Sequence, residues 1–202
     1  MSLFRTDDKI FGTQKCYRTM LSALCTPGSP RKMDIAGNER GLISGVPSHV
    51  ALISLTLLDE QVSVAAFGTG YGSWLEEIIS ATGAREASVS EADYIIASSV
   101  PKLKDLRSVK QGTLLSPEQG ATLIIRLDEK IEGKAGTLEI RGPGIEDVTL
   151  LKAGPAVFSL MKHRSALEFE YPLGFDLFLV DSKGNLLGLP RTSSVKTISK
   201  KG

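Results

Sequence analysis

Arg191 follows Pro190, whose ring fixes the backbone, and precedes Thr192, so a guanidinium fork and a hydroxyl can face one oxyanion together. A structural salt bridge to Asp176 or Glu118 would account for the same arginine, and both readings stand at this level. A second pattern with phosphate chemistry is Gly68-Thr69-Gly70-Tyr71-Gly72, set between a strand and a helix, where glycines let the backbone close on an anion. Its spacing lacks the final glycine of the dinucleotide fingerprint and the Lys-Ser/Thr of a P-loop, and Glu91 and Asp93 precede the next strand instead of ending it. A flexible strand-to-helix turn is the plainer expectation. Gly142-Pro143-Gly144 is a tight turn, serving either as a connection or as a place where another chain approaches closely.

Other chemistry is sparse. His49 and His163 are far apart in sequence, and His49 falls in an apolar helix, which suits a hydrogen-bonded core or interface imidazole better than a general base. There is no G-x-S-x-G elbow for a serine nucleophile. Cys16 and Cys25 are too far apart along one helix to bridge and form no metal-ligand spacing with the histidines. They read as reduced packing residues. No catalytic residue, metal site or cofactor is therefore expected.

The 202 residues carry a net charge of +1, with 42% hydrophobic and 23% charged residues, as expected of one globular domain spanning 1–202. A chain of this length buries about 70% of the surface its unfolded form exposes, so a core is available without disulfide or metal. Near-neutral charge argues against a general nucleic-acid binder. Only Lys196, Lys200 and Lys201 cluster, in what reads as a solvated tail. Arg5, Asp7, Asp8 and Lys9 occupy the place of a leader's apolar core, which points to a cytoplasmic protein. The uncharged stretch Gly41–Leu58 is broken by Gly45, Pro47, Ser48 and His49, so a buried helix is expected there and no membrane contact.

The elements that must position these residues follow from periodicity. Helices are expected over Thr13–Leu24, with Tyr17, Met20, Leu21 and Leu24 as its apolar stripe, and over Ser48–Leu58, with Ser48 as cap. A strand at Gln61–Phe67 leads through the glycines to a helix with a Ser73/Glu76 capping box that ends at Thr82-Gly83. Then come a strand at Asp93–Ser98, a short helix at Pro101–Val109, and an antiparallel pair, Ala121–Leu127 with Thr137–Arg141. Pro155–Phe169 reads as a long helix, and Phe175–Val180 with Leu186–Leu189 as a hairpin turning at 181–185. Interleaved helices and strands followed by hairpins imply a layered α/β domain, a mixed β-sheet with helices on both faces.

Several blocks carry a family resemblance: Tyr17-Arg18-Thr19-Met20-Leu21 with Thr26-Pro27-Gly28, Gly112-Thr113, Ser116-Pro117-Glu118-Gln119-Gly120-Ala121-Thr122, Gly142-Pro143-Gly144-Ile145, Tyr171-Pro172-Leu173-Gly174-Phe175-Asp176, and Leu189-Pro190-Arg191-Thr192. In this order they resemble the PhnH family of the bacterial carbon–phosphorus lyase system. The resemblance implies a homodimer within a core assembly whose other components are called G, I and J, and which lets bacteria use the phosphorus of alkylphosphonates. The first step of that assembly displaces adenine from ATP with the phosphonate, giving a ribose 1-phosphonate 5-triphosphate. The I component is implied to be the nucleosidase-type catalyst, and the J component to perform the later radical cleavage with an iron–sulfur cluster. PhnH members are implied to be required without an active site of their own, on a fold like the large domain of pyridoxal-phosphate transferases but lacking the cofactor site.

The expected role is a non-catalytic subunit of a transferase complex, with Arg191, Thr192, Asp176, Arg18, Gly142 and Gly144 as binding or interface residues. The glycines at 68–72 are not among the family's motifs. They carry the alternative, a free-standing nucleotide-binding enzyme using Gly68–Gly72 for phosphate and Arg191 as a cation. A homodimeric binding protein unrelated to phosphonates is the remaining possibility.

Overall fold

The computed structural model describes residues 6–35, 42–67 and 72–198. Helix α1 (Thr6–Cys25) begins well before the expected Thr13 and buries Cys16, Met20 and Ala23. Tyr17 and Leu21, expected on the same stripe as Met20, are instead 49% and 44% exposed. The close seat of the helix on the sheet explains the rotation. A Cβ on Gly188 would stand 2.7 Å from the backbone of Ala23, so the helix rests on Gly188 and turns the Cys16–Met20–Ala23 face inward. A short strand β1 (Arg31–Lys32) follows, then α2 (Ser48–Leu57), whose Val50, Ala51, Leu52, Ile53 and Ser54 are all buried. Pro47, not Ser48, is its N-cap residue, and no side chain caps it.

Next come β2 (Ser63–Phe67), α3 (Gly72–Thr82), β3 (Arg85–Glu86), β4 (Tyr94–Ala97) and α4 (Leu103–Leu106). Residues 68–71 of the glycine motif, the side chain of Ser73, and Lys200 and Lys201 lie outside the described residues. The chain continues through β5 (Thr122–Leu127), β6 (Glu132–Arg141), β7 (Thr149–Ala153), α5 (Pro155–Ser165), β8 (Asp176–Asp181), β9 (Asn185–Leu189) and β10 (Ser194–Ile198). The helix expected to reach Phe169 thus stops at Ser165.

Among the described residues, seven strands form one sheet in the order β1-β9-β8-β5-β4-β2-β3, parallel from β3 to β8 and antiparallel at β9 and β1. The hairpin β8–β9 forms as expected. The pair Ala121–Leu127 with Thr137–Arg141 does not: β5 lies between β4 and β8, parallel to both, and β6 joins β7 and β10 in a separate three-stranded sheet. Burial explains the choice. Leu123, Ile124, Ile125 and Leu127 are buried on both faces of β5, which only a central, doubly covered strand allows. In β6, Leu138 and Ile140 are buried while Thr137 and Glu139 are not, the alternation of a strand covered on one face. Lys196, read as part of a tail, sits in β10 paired opposite Glu139.

The large sheet divides the interior into two layers. Val64, Ile96, Ile124, Phe178 and Val180 pack against α1, α2 and α3. Ile95, Leu123, Ile125, Leu177 and Leu179 pack on the other side against α4, α5 and the small sheet. The result is an α/β fold with a mixed sheet and helices on both faces. Among the described residues, no helix is long and apolar enough to cross a membrane.

Candidate functional site

On α5 the buried positions Val157, Leu160, Met161 and Arg164 recur at helical spacing, so a cation occupies the inward stripe. Arg164 is 5% exposed, and its fork holds the segment between β9 and β10: Nη1 donates to the carbonyl of Ser193 at 3.0 Å, and Nη2 to those of Pro190 at 3.3 Å and Arg191 at 3.1 Å. The turn closes with Ser193 N–H donating to Pro190 O at 2.9 Å. These acceptors are all backbone carbonyls. Burial drives the pKa of Arg164 down to about 10, and the more distant Asp176 opposes that shift. It nevertheless remains charged at neutral pH.

Arg191 sits on this turn. Its backbone N–H donates to Asp176 Oδ1 at 2.7 Å and its Nη1 to Asp176 Oδ2 at 3.3 Å. Of the two carboxylates considered from the sequence, Asp176, at the start of β8, is the partner. The pair is a little over one-fifth exposed on each side. Thr192 follows, and with Arg164, Arg191 and Ser194 it lines a cavity of about 280 Å³ that also receives Tyr171 and Leu173 from the loop after α5. Among the described residues, five buried side-chain polar atoms lack a partner within the chain, and three of them belong to this cluster: Arg164 Nε, Arg191 Nε and Ser193 Oγ. A buried polar atom left unpaired costs about 1–3 kcal/mol, so their gathering around one cavity marks a place where packing alone was not optimised.

The structure therefore brings Arg191, Thr192 and Asp176 together. Gly142 adjoins them, with Ser193 Cα only 3.1 Å from where its Cβ would be. Gly144 faces elsewhere: its φ is +82°, and a side chain there would collide with the carbonyl of Cys25, so the segment that approaches it closely is the chain's own α1 terminus. Arg18 lies on the exposed side of α1, lining a groove with Lys15, Arg31 and Lys32. Sequence reasoning missed Arg164. The signal was present, since an arginine on the apolar stripe of a helix is a buried cation that needs acceptors.

The other candidates have structural surroundings. Cys16 is buried, which raises its thiol to about 11, and Cys25 is exposed; neither is in a disulfide. His163 Nδ1 lies 3.1 Å from the carbonyl of Pro101. His49 lies against Gly184 in the β8–β9 turn. Strand β2, from which the glycine motif departs, has β3 on one side and β4 on the other, so the direction of strand order reverses at β2.

Beside the cavity stands a small hairpin. Thr113 N–H donates to Ser116 O at 3.2 Å and Ser116 N–H to Thr113 O at 3.1 Å, so Leu114 and Leu115 form its tip, 62% and 97% exposed. Its base is tied to the loop that carries Tyr171, which is 76% exposed, through Gly174 N–H to Gln111 O at 3.0 Å. Three large apolar side chains are thus held in water on braced loops.

Sequence comparison adds two findings. The family described as bacterial phosphonate metabolism protein (PhnH) matches residues 5–196. The putative C-P lyase subunit protein HtxG of Stutzerimonas stutzeri is 30% identical over 182 residues, covering 90% of this chain and 85% of that protein.

Proposed function

Because the chain belongs to the bacterial phosphonate metabolism protein (PhnH) family, we propose that it is an accessory, non-catalytic subunit of a carbon–phosphorus lyase complex. In this reading it supports transfer of alkylphosphonate to the ribose of ATP, forming a ribose 1-phosphonate 5-triphosphate alongside the G, I and J components. It acts in the cytoplasm as a homodimer, on a fold related to the large domain of pyridoxal-phosphate transferases without the cofactor. Arg191, Thr192, Asp176 and Gly142 belong to the surface that meets a partner or an anion, with Arg18 and Gly144 on contacts further along α1.

The observation that carries the assembly role is the exposed Leu114–Leu115 tip, whose hairpin is tied at its base to the loop that carries Tyr171. Exposed leucines cost hydration free energy in the free chain, and burying each against a partner returns about 1.5–3 kcal/mol. Their hairpin is closed by backbone hydrogen bonds, so little order remains to be imposed on binding. The test is size-exclusion chromatography of the chain mixed with homologues of the G, I and J components. Co-elution is expected, and the double variant L114D/L115D is expected to weaken it by about tenfold or more while unfolding at the same temperature. Absence of co-elution for the unaltered chain removes the assembly role; unchanged co-elution of the variant removes the hairpin from the interface.

One observation favours the free-standing nucleotide binder. The reversal of strand order at β2 is the place in an open parallel sheet where ligands commonly sit. Calorimetry with ATP on the isolated chain separates the readings. Silence is expected; tight binding abolished by Gly70→Val would favour the enzyme.

A further inference from the structure

We propose that the cavity under the Pro190–Ser194 turn binds a small organic oxyanion, whose tetrahedral head meets Arg191, Thr192 and Ser194 and whose apolar substituent lies against Tyr171 and Leu173. The inference rests on the proposed function only in choosing phosphorus as the head atom. Everything else comes from the lining of the cavity.

The charges come first. Among the described residues, three charged side chains line the space: Arg164, Arg191 and, at the exposed rim, Glu168. Asp176, which does not line the cavity, is engaged by the backbone N–H and Nη1 of Arg191, so the lining itself holds two guanidiniums against the one exposed carboxylate of Glu168. Arg164 is held in place by carbonyls, which accept its hydrogen bonds without cancelling its charge. At 5% exposure it is more than nine-tenths buried, and its Nε has no partner. It acts as a fixed positive floor beneath the turn, while Arg191 and the hydroxyls make direct contact. With Asp176 and Glu168 both counted the charges sum to zero, so it is the unpaired polar atoms gathered here, and not a net charge, that point to an anion. Of the hydroxyls, Ser193 Oγ is itself buried and unpaired, in a residue only 4% exposed.

Shape and apolar lining then select the anion. Phe169, which stacks edge-on with Phe175 at 5.1 Å, anchors the loop that brings Tyr171 and Leu173 to the cavity. Inorganic phosphate would leave that side uncovered. A volume of about 280 Å³ falls just below the range usual for drug-sized ligands, which suits one tetrahedral head with one short substituent.

The experiment is calorimetric titration of the isolated full chain with phenylphosphonate, phenyl phosphate and inorganic phosphate. Binding of either aryl ligand at least about tenfold tighter than phosphate is expected, and the tighter of the two tells a phosphonate from a phosphate monoester. Thr192→Val is expected to weaken the aryl ligands by about tenfold through loss of one hydrogen bond to a charged head, with no change in unfolding temperature. Tyr171→Ala should weaken the aryl ligands and leave phosphate unmoved. No binding at millimolar ligand, equal affinity for phosphate, or indifference to both substitutions would overturn the proposal. Binding without co-elution with the lyase components would leave this site standing and remove the assembly role; co-elution without binding would do the reverse.

Discussion

Replacing Arg164 by methionine is expected to destabilise the protein by about 3–5 kcal/mol, read as a lower urea midpoint at unchanged slope. Methionine fills much of the same volume among Val157, Leu160 and Met161, so the loss isolates the hydrogen bonds from the packing. The carbonyls of Pro190, Arg191 and Ser193 would lose their donor where they are partly or fully buried. Relief of the guanidinium's own desolvation offsets part of the loss, which is why the sum stays below three full hydrogen bonds to a charge. Arg164→Lys should fall between the two, because an ammonium on a flexible stem can reach some of the three acceptors but cannot span them as a planar fork does. If methionine costs less than 1 kcal/mol, about the net worth of one ordinary hydrogen bond, the turn does not depend on Arg164. The fixed positive floor of the proposed oxyanion site would then lose its structural basis.

Asp181→Asn is expected to cost about 3 kcal/mol and to flatten the acid limb of the stability profile. Asp181 ends β8 and organises the turn into β9. Its Oδ1 accepts from the backbone N–H of Lys183 and of Asn185, both at 2.9 Å, and its Oδ2 accepts from Asn185 Nδ2 at 2.8 Å and Ile131 N–H at 3.4 Å. Asparagine can supply an oxygen to one pair of donors, but its amide nitrogen then meets the other pair donor to donor.

Burial alone would raise the Asp181 pKa, yet the hydrogen bonds from Asn185, Ile131 and Lys183 outweigh it and leave the carboxyl below its usual range. Asp93 behaves the same way: burial opposes, while Lys110 and Ser63, bonded at 2.9 Å and 2.7 Å, win. A lowered folded pKa gives stability that is fully present above the unfolded value of about 3.9 and is lost as pH falls through the folded value. Unfolding curves taken from neutral pH downward should therefore show a shallower decline for Asp181→Asn than for the unaltered chain. An equally steep decline would mean that Asp181 does not contribute to acid sensitivity.

Element types were largely legible because periodicity is local. The run Val50–Ser54 reads as a buried helix and is one, and the apolar runs on either side of residues 181–185 read as a hairpin and form one. The partners of β5 and β6 were not legible, because a short loop between two strands suggests a hairpin whether or not the strands pair. Their different burial decides it: β5 needs cover on both faces, β6 on one. The buried stripe of α1 differs from the expected one for a related reason. Apolar residues at Tyr17 and Leu21 fit the helical period as well as Cys16 and Ala23 do, and only the close seat on Gly188 chooses between them.

For the site, local sequence is enough to place Arg191 and Thr192 on one turn, to make Asp176 one of two carboxylates suited to Arg191, and to set the motif blocks in the order of one family. Tertiary structure alone decided which carboxylate pairs, where Arg164 points, and that Gly142 comes to the turn while Gly144 packs on α1. The physical reason is range. Backbone propensity and side-chain period act over a few residues, whereas pairing of a buried charge is settled by strands and helices distant in sequence, each placed by the need to cover the others' apolar faces.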